Sequence, residues 1–286
     1  MKIIAINYAD ENYAEARKLN TKTAYKKGRV NEVIEYSFQD LDQEFVEKNR
    51  NIFVHKRGAG CMIWKPYIVL KTLEKMEDGD YLIYCDAGAS YMKNIRIMIK
   101  FAKKVNQDIL FFGPHGTAKE WTKRDVFIAL DCDNQTYTEA EMNMSGFLVI
   151  CNSQHTRAVM QDWLSFSQKD EIITDGDNKL GKENYGEFIA NRHDQSVLNI
   201  VRIKYGYPLY RDPSQWGFDN KFLNEIKCWI KNNILHSNPE SFPKIIFCHR
   251  IGNINDLTYF LILFEYTAPG IYKFIFSGYN FLKRKH

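Results

Sequence analysis

The sequence predicts an α/β fold with a mainly parallel central sheet flanked by helices. As far as Gly113, short apolar runs alternate with longer segments of helical periodicity, which is the pattern of successive strand–helix units. One of these runs, Tyr81–Cys85, is apolar throughout, as expected for a central strand that is covered on both faces. With 286 residues, 45% of them hydrophobic, the chain is long enough to build a single large core.

The predicted elements follow from period and boundary residues. The strands are short apolar runs that end at polar residues or glycine, namely Lys2–Asn7, Val33–Tyr36, Ile52–His55, Tyr81–Cys85, Asp108–Gly113, Gly146–Ile150 and Ile245–Cys248. The helices carry apolar residues close to one helical face, namely Tyr13–Tyr25, Leu41–Lys48, Pro66–Met76, Tyr91–Val105, Ser153–Ser167 and His193–Tyr205. The polar stretch Lys169–Asn191 predicts a mobile loop.

Composition and linker content limit the domain organisation and the partners. No Pro/Gly/Ser-rich linker divides the chain, so we expect one domain over residues 1–252 and a C-terminal aromatic and basic appendage over residues 253–286. Three of the four net positive charges lie at residues 283–285, which argues against a nucleic-acid partner. No apolar run approaches the roughly 18 residues of a membrane span. The six cysteines show no metal or disulfide spacing, so we expect a reducing, cytoplasmic location.

Asp86 is the first candidate for chemistry. It follows the strand Tyr81–Cys85 directly and precedes the small residues Ala87 and Gly88. Ligands of open α/β sheets bind at the carboxyl ends of strands, and a carboxylate between small residues suits a divalent cation with phosphate oxygens nearby. An Asp that only caps the turn through backbone N–H groups is the structural alternative.

A second candidate is the polar hexapeptide Asn191–Ser196 at the start of a predicted helix. It presents an imidazole, a carboxylate and a carboxamide, from His193, Asp194 and Gln195, on a helix that is otherwise apolar. A packed helix is a rigid support for groups that contact a reacting centre. The alternative is that Asp194 and Ser196 satisfy the free amides at the helix N-terminus.

The pair His249–Arg250 is a third candidate. It follows the predicted strand Ile245–Cys248. Its imidazole would complete a cation site with Asp86, and its guanidinium would face phosphate. A histidine with a structural role is the alternative.

A fourth candidate is the loop that holds Arg57, Trp64 and Lys65. It combines cations, glycines and a large ring just before a predicted helix N-terminus, which suits an anionic ligand. A turn with solvated charges and a packed Trp is the alternative. The glycine spacing matches neither a P-loop nor a dinucleotide-binding fingerprint.

Four segments, taken in order, resemble bacterial and viral nucleotide-sugar glycosyltransferases of the GT-A fold, which build capsules and lipopolysaccharide. More distantly they are similar to the galactosyl- and xylosyltransferase family of plants and fungi. The segments are Arg57–Tyr67 (RGAGCMIWKPY), Asp78–Gly88 (DGDYLIYCDAG), Ser145–Ile150 (SGFLVI) and His193–Val197 (HDQSV), and the match spans residues 1–252.

This resemblance implies a GT-A-type domain that moves a sugar from a nucleotide-sugar donor, a UDP-sugar, to a glycan or lipid-linked glycan acceptor. Asp86 stands at the first Asp of the family's D-x-D metal motif, and His249 would be a further ligand of Mn²⁺ or Mg²⁺. Gly88 stands where the second Asp commonly lies. The cation is therefore held by fewer protein ligands, or the enzyme is metal-independent.

The resemblance also implies roles for the remaining candidates. Asp194 would act near the anomeric carbon or the acceptor hydroxyl, as a general base or as a stabiliser of the cationic centre, and Gln195 would bind sugar hydroxyls. Donor binding would fall to the residues around the base and the diphosphate, namely Tyr8, Asp10, Tyr13, Arg57, Trp64, Lys65, Gly88, His193 and Arg250. Residues 169–191 would order over the donor.

Two other functions and one surface contact stay open from the sequence. The missing second Asp favours a carbohydrate-binding or scaffold protein that has lost catalysis, and a sugar-phosphate or nucleotidyl transferase would use the same Asp86. Aromatic, aliphatic and basic residues over 259–286 suit peripheral contact with the inner face of a membrane, next to a lipid-linked acceptor.

Overall fold

The structure, a computed structural model, describes residues 1–218 and 242–268. Its main sheet has six strands in the order β2-β1-β3-β6-β5-β7. These strands are β1 (Ile3–Tyr8), β2 (Glu32–Tyr36), β3 (Tyr81–Cys85), β5 (Ile109–Gly113), β6 (Phe147–Cys151) and β7 (Leu209–Arg211). All except β6 point the same way, so five carboxyl ends meet at one edge. The predicted α/β class and mainly parallel sheet are confirmed.

A second, two-stranded sheet stands beside this edge. In it, β4 (Ala89–Tyr91) pairs antiparallel with β8 (Ile246–Cys248). Because β4 begins just after Asp86, this pairing brings residues that are about 160 positions apart in the sequence next to each other. Sequence periodicity predicted β8 but not β4, whose last residue, Tyr91, was the first residue of a predicted helix.

The helices surround the main sheet. The structure has α1 (Ala14–Thr23), α2 (Gln43–Lys48), α3 (Arg50–Phe53), α4 (Gly58–Cys61), α5 (Trp64–Leu73), α6 (Arg96–Lys104), α7 (Ala118–Trp121), α8 (Arg124–Ala129), α9 (Gln135–Thr138), α10 (Gln154–Ser167), α11 (Asp170–Ile173), α12 (Asp194–Lys204) and α13 (Asp256–Thr267). Helices α5, α10 and α12 pack on one face of the sheet, and α6 packs on the other.

The core follows the alternation of each strand. On β3, Leu82 and Tyr84 belong to the cluster on the α5 side, whereas Tyr81 and Ile83 belong to the cluster on the α6 side. Every residue of β3 is buried, which explains its continuous apolar run. The edge strand β2 is only partly covered and accordingly mixes Glu with apolar residues.

One predicted strand was wrong. The predicted strand at Ile52–His55 is helix α3 followed by a turn, in which Ile52 is buried and Val54 is 74% exposed. A four-residue apolar run has no period that separates a strand from a helix. In this mainly parallel sheet, β6 is the antiparallel strand, since it pairs antiparallel with both β3 and β5; hydropathy does not reveal the direction of a strand.

The polar stretch Lys169–Asn191, predicted as a mobile loop, contains α11 and is held by two carboxylates. Asp125 is fully buried and accepts the backbone N–H groups of residues 179 and 180 at 2.6 and 3.1 Å. Asp133 pairs with Arg124 and with Lys182, at 3.2 and 2.8 Å. This segment is therefore anchored on α8 and on the loop that follows it.

The C-terminal part of the described chain is α13. Its Tyr259 hydroxyl lies 3.0 Å from the Ser90 hydroxyl, and Asp256 pairs with Lys22 of α1 at 2.8 Å. Residues 269–286, which carry most of the predicted basic tail, lie outside the described residues. Within residues 1–218 and 242–268, no helix has the length and hydropathy needed to cross a bilayer.

Candidate functional site

The carboxyl edge of the main sheet gathers site residues from distant parts of the sequence. Strand β3 ends just before Asp86, whose backbone N–H donates to the Gly146 carbonyl at the start of β6, at 2.9 Å. The β4–β8 pairing then places Arg250 at the turn, since its backbone N–H donates to the Gly88 carbonyl at 2.8 Å. The edge is the expected position of a ligand site in such a sheet.

The centre of the site is the ammonium group of Lys65, on the first turn of α5. It lies 3.4 Å from Oδ1 of Asp86, 3.2 Å from Oδ2 of Asp194 and 3.2 Å from Oγ of Ser145. Tyr84 donates its hydroxyl to the same Oδ1 of Asp86 at 2.5 Å. The ammonium group donates to Ser145 and is in ion-pair contact with both carboxylates, so it is surrounded by groups of the protein. The Asp86 side chain is 48% exposed, so it is the carboxylate of this cluster that a ligand can reach.

Asp194 is the opposite case, because it has no exposed surface. Burial raises the pKa of its carboxyl, and the positive charge of Lys65 opposes that rise. Burial acts to lower the pKa of Lys65, but the charges of Asp194 and Asp86 outweigh it and raise the pKa, so the ammonium stays charged. The two residues form a buried ion pair beneath Asp86. The predicted catalytic role of Asp194 stays a prediction.

Two contacts that were not predicted from the sequence, with Gly146 and with Asn20, fix the position of Asp86. A Cβ atom at Gly146 would lie 2.7 Å from its Oδ2, so only glycine leaves room for this carboxylate position. The Asn20 amide donates to the backbone carbonyls of Asp86 and Ala89 at 3.2 and 2.9 Å. Asn7 on β1 donates to the Asn20 carbonyl at 2.9 Å and so fixes its orientation. Polar residues buried at a strand end and on a helix are the only sequence signal of this support.

The short element α4, before Lys65, is a left-handed turn. At five successive residues, 58–62, φ lies between 50° and 91°, although only Gly58 and Gly60 adopt such values without cost. The Trp64 indole donates to the Gly58 carbonyl at 2.9 Å, and its ring stacks on Tyr8 with centroids 3.8 Å apart. The turn therefore places α5 so that Lys65 reaches the sheet edge.

The predicted base-binding residues lie around the end of β1. Tyr8 is buried against Trp64, and burial raises its pKa to about 12. Asp10 is exposed and accepts the backbone N–H groups of Asn12 and Tyr13. Tyr13 is 38% exposed, and its ring borders Gly88, where an added Cβ would lie 3.4 Å away. Of these three side chains, Asp10 and Tyr13 face solvent beside the Asp86 turn. Their role in binding a base stays a prediction.

His193 and Arg57 meet at Asp175. His193 is buried, and its Nδ1 donates to the Ile173 carbonyl at 2.8 Å. Its Nε2 lies 3.6 Å from the Asp175 carboxylate, and Arg57 lies 3.0 Å from the same carboxylate. The backbone of His193 has φ 52° and ψ −119°, a conformation that a non-glycine residue adopts only at a cost. This strain lies directly before Asp194.

The predicted metal ligands do not by themselves form a divalent-cation site. Burial lowers the pKa of His249 to about 4, so the ring is neutral at pH 7. Its Nδ1 accepts the Ile251 N–H at 3.3 Å, and its buried Nε2 has no hydrogen-bond partner among the described residues. Gly88 offers no ligand. Across residues 1–218 and 242–268, no group of three His, Cys, Asp or Glu side chains could hold a metal ion. The cation itself stays a prediction.

Gln195 and Arg192 complete the edge. The Gln195 amide donates to the Asn143 carbonyl at 2.7 Å, which leaves its own carbonyl for a ligand. Arg192 lies over the Trp121 ring, 4.1 Å from its centroid, and is exposed. Sequence reasoning missed Arg192, although it stands two residues before Asp194, because a lone exposed arginine carries no pattern.

A titratable pair at the ends of β5 and β7 was also missed. His115 Nε2 lies 3.2 Å from Oδ2 of the buried Asp212.

A cavity of about 430 Å³ lies elsewhere, along the edge strand β2. It is lined by Lys2, Ile4, Glu32, Ile34, Tyr36, Asp40, Lys71, Thr72, Lys75 and Met76, and so includes none of the predicted site residues.

Comparisons with known proteins add two similar structures. No family model matches the sequence, and no curated protein matches it. The apo form of the glycosyltransferase GlyE from Streptococcus pneumoniae TIGR4 is 15% identical, with a TM-score of 0.43, over 97% of this chain and 64% of that one. The apo form of mouse xyloside xylosyltransferase 1 is 8% identical, with a TM-score of 0.44, over 86% of this chain and 96% of that one. This chain thus spans less than two thirds of the length of GlyE.

Proposed function

We propose that this protein is a glycosyltransferase that moves a sugar from a nucleotide-sugar donor, a UDP-sugar, to a glycan or lipid-linked glycan acceptor in surface-polysaccharide biosynthesis. The single observation that carries the proposal is the cluster at the sheet edge, where an exposed Asp86 carboxylate is fixed by Lys65 and Tyr84. The motifs that resemble glycosyltransferases supply these residues. They lie where α/β sheets bind their ligands.

Asp86 and Asp194 have different roles in the proposed reaction. In the transfer, the bond between the anomeric carbon and the diphosphate oxygen breaks, and its electron pair leaves with the diphosphate. The acceptor hydroxyl oxygen forms the new bond and gives its proton to a base. Asp86 is exposed enough to contact sugar or acceptor, whereas the buried Asp194 acts through Lys65, whose charge it helps to maintain. Lys65 then fixes Asp86 before the substrate arrives.

A second candidate function is a carbohydrate-binding or scaffold protein without catalysis. Two observations favour it: Gly88 replaces the second acidic residue of the metal motif, and the Asp194 carboxylate is fully buried. Such a protein would bind glycan but would not consume a nucleotide sugar. A sugar-phosphate transferase would instead release a nucleoside monophosphate, and a nucleotidyl transferase would consume a nucleoside triphosphate and release inorganic diphosphate.

We also propose that α13 meets the inner face of a membrane beside a lipid-linked acceptor. Its Leu257 and Phe260 are 67% and 60% exposed, which is unusual for large apolar side chains on one helix. Replacing both by Ser should reduce flotation with anionic vesicles while sugar transfer to a water-soluble acceptor is kept. Unchanged flotation would remove this membrane contact from the proposal.

The enzymatic proposal is tested by following nucleoside diphosphate release from a panel of nucleotide sugars, with and without a glycan acceptor. We expect release from one of them, faster with acceptor, and a loss of at least tenfold in Asp86→Asn. Asp78→Asn, an exposed carboxylate change in the same motif, is the matched control and should keep activity. Glycan binding without release from any nucleotide sugar would favour the scaffold function.

A further inference from the structure

Three arginines from separate parts of the chain converge at the site. Arg57 precedes the left-handed turn 58–62, Arg192 stands just before the strained His193, and Arg250 follows β8. Arg57 contacts the same Asp175 carboxylate as His193, the neighbour of Arg192, and Arg250 donates its backbone N–H to Gly88, two residues after Asp86. The pKa of Arg192 is lowered, first by partial burial and then by the positive charges of Arg57 and Arg250. Gathering like charges has a free-energy cost that a bound anion offsets.

Two of these guanidinium groups lie over tryptophan rings. Arg192 lies 4.1 Å from the Trp121 ring centroid, and Arg250 lies 4.3 Å from that of Trp216. Within the described part of the chain, neither guanidinium makes a hydrogen bond or an ion pair. An arginine that lies over an aromatic ring still has its five N–H donors for other partners, and their forked geometry suits phosphate oxygens.

Arg250 lies beside Gly88, the position at which the metal motif commonly has its second aspartate. Its backbone N–H donates to the Gly88 carbonyl, and a Cβ atom at Gly88 would lie only 3.2 Å from its Cα. An aspartate at position 88 would therefore require the chain to shift. The site has an arginine beside the place where the metal motif would have a carboxylate.

Lys65 does not supply the missing charge to a ligand. Its side chain is only 3% exposed, and its ammonium group donates to Ser145 and pairs with the Asp86 and Asp194 carboxylates. From the sequence, Lys65 was expected to face the phosphates of the nucleotide sugar. In this structure its ammonium group contacts groups of the protein instead. The exposed cations at the edge are the arginines.

We infer that Arg57, Arg192 and Arg250 together bind the diphosphate of the nucleotide-sugar donor directly, so that this site holds its donor without a divalent cation. The inference rests on the proposed glycosyltransferase function and specifies how that site neutralises the leaving group. Arg57, which is paired with Asp175 at 3.0 Å, would exchange that carboxylate for a phosphate. The arginines would then stabilise the negative charge that the diphosphate gains as the glycosidic bond breaks.

The test is calorimetric titration with UDP, GDP, ADP, CDP and inorganic pyrophosphate in the presence of EDTA. We compare the wild-type chain, Arg192→Met and Arg250→Met with Arg96→Met, a control on helix α6. We expect one diphosphate to bind in EDTA, with affinity reduced about tenfold or more in the first two variants and unchanged in the control. The affinity should also fall as NaCl is raised, because exposed charges are screened. Melting curves establish that the variants fold, and both changes are on exposed side chains.

The outcomes separate the inference from the function on which it rests. Binding or turnover that needs Mn²⁺ and is abolished by EDTA would overturn the arginine site while the glycosyltransferase stands. Equal affinities of wild type, Arg192→Met and Arg250→Met would do the same. Absence of both binding and nucleotide-sugar turnover, with and without Mn²⁺, would overturn the function and the inference together.

Discussion

Replacing Lys65 by methionine removes the charge that compensates the buried Asp194. Methionine keeps most of the side-chain length, so the change isolates the ammonium. Asp194 is fully buried, and Lys65 is the cation 3.2 Å from its carboxylate. Removing one partner of a buried pair typically costs about 3–5 kcal/mol. The cost has an upper bound, because the carboxyl can take up a proton. Protonating a group of ordinary pKa 3.8 at pH 7 costs about 4 kcal/mol.

We therefore expect Lys65→Met to lower the free energy of unfolding by about 3–4 kcal/mol at pH 7. In this variant the folded state holds a proton on Asp194 that the unfolded chain does not hold above pH 3.8, so its stability relative to wild type should recover as pH falls. The recovery should be about 1.4 kcal/mol per pH unit.

Urea denaturation between pH 5 and pH 8 measures this loss. The double variant Lys65→Met/Asp194→Asn should regain most of the stability, since no buried charge is left. Lys71→Met on the same helix, whose partner Asp42 is exposed, is the control and should cost less than about 1 kcal/mol. A loss below about 1 kcal/mol for Lys65→Met, or a loss that does not change with pH, would refute the buried ion pair.

Three other changes test the support of the site. Gly146→Ala should push the Asp86 carboxylate aside and reduce turnover about tenfold or more at nearly unchanged stability. The control is Gly186→Ala, where an added Cβ meets no atom within 4 Å, and equal activity of the two variants would contradict the close contact between Gly146 and Asp86. Asn20→Ala removes the donor of the Ala89 carbonyl and the second donor of the Asp86 carbonyl, which keeps the Ala89 N–H, and should cost about 1–3 kcal/mol in urea denaturation; a smaller loss would mean that water replaces the amide. Asp133→Asn should cost about 2 kcal/mol at pH 7. Burial raises the Asp133 pKa, but its bonds to Lys182, Tyr185 and Arg124 outweigh burial and lower the pKa to about 2. The stability cost of the substitution should therefore vanish as pH falls from about 4 to 2. A cost that persists at pH 2 would contradict this pairing.

Hydropathy was enough to predict most of the central sheet. Strands β1, β3, β5 and β6 are buried on both faces, so their residues must be apolar and the runs are visible in the sequence. The antiparallel direction of β6 was not predictable, because an apolar run reads the same in both directions. The three-residue strands β4 and β7 were too short to give a period.

The site divides in a similar way. Asp86 was predictable because it follows a strand that the sequence identifies, and position relative to a strand end has a structural meaning. The contact of Lys65 with Asp86 and Asp194 depends on how α5 and α12 pack, which no local pattern encodes. Arg192 was missed for the same reason, because its contact with the Trp121 ring also depends on how distant segments pack.

The most direct test of the account is release of a nucleoside diphosphate from a nucleotide sugar by the wild-type chain and by Asp86→Asn. The account predicts release from one nucleotide sugar, increased by a glycan acceptor and lost in Asp86→Asn while the variant stays folded. No release from any nucleotide sugar, or equal release by Asp86→Asn, would contradict the claim that the carboxylate at the end of β3 is the centre of a glycosyltransferase site.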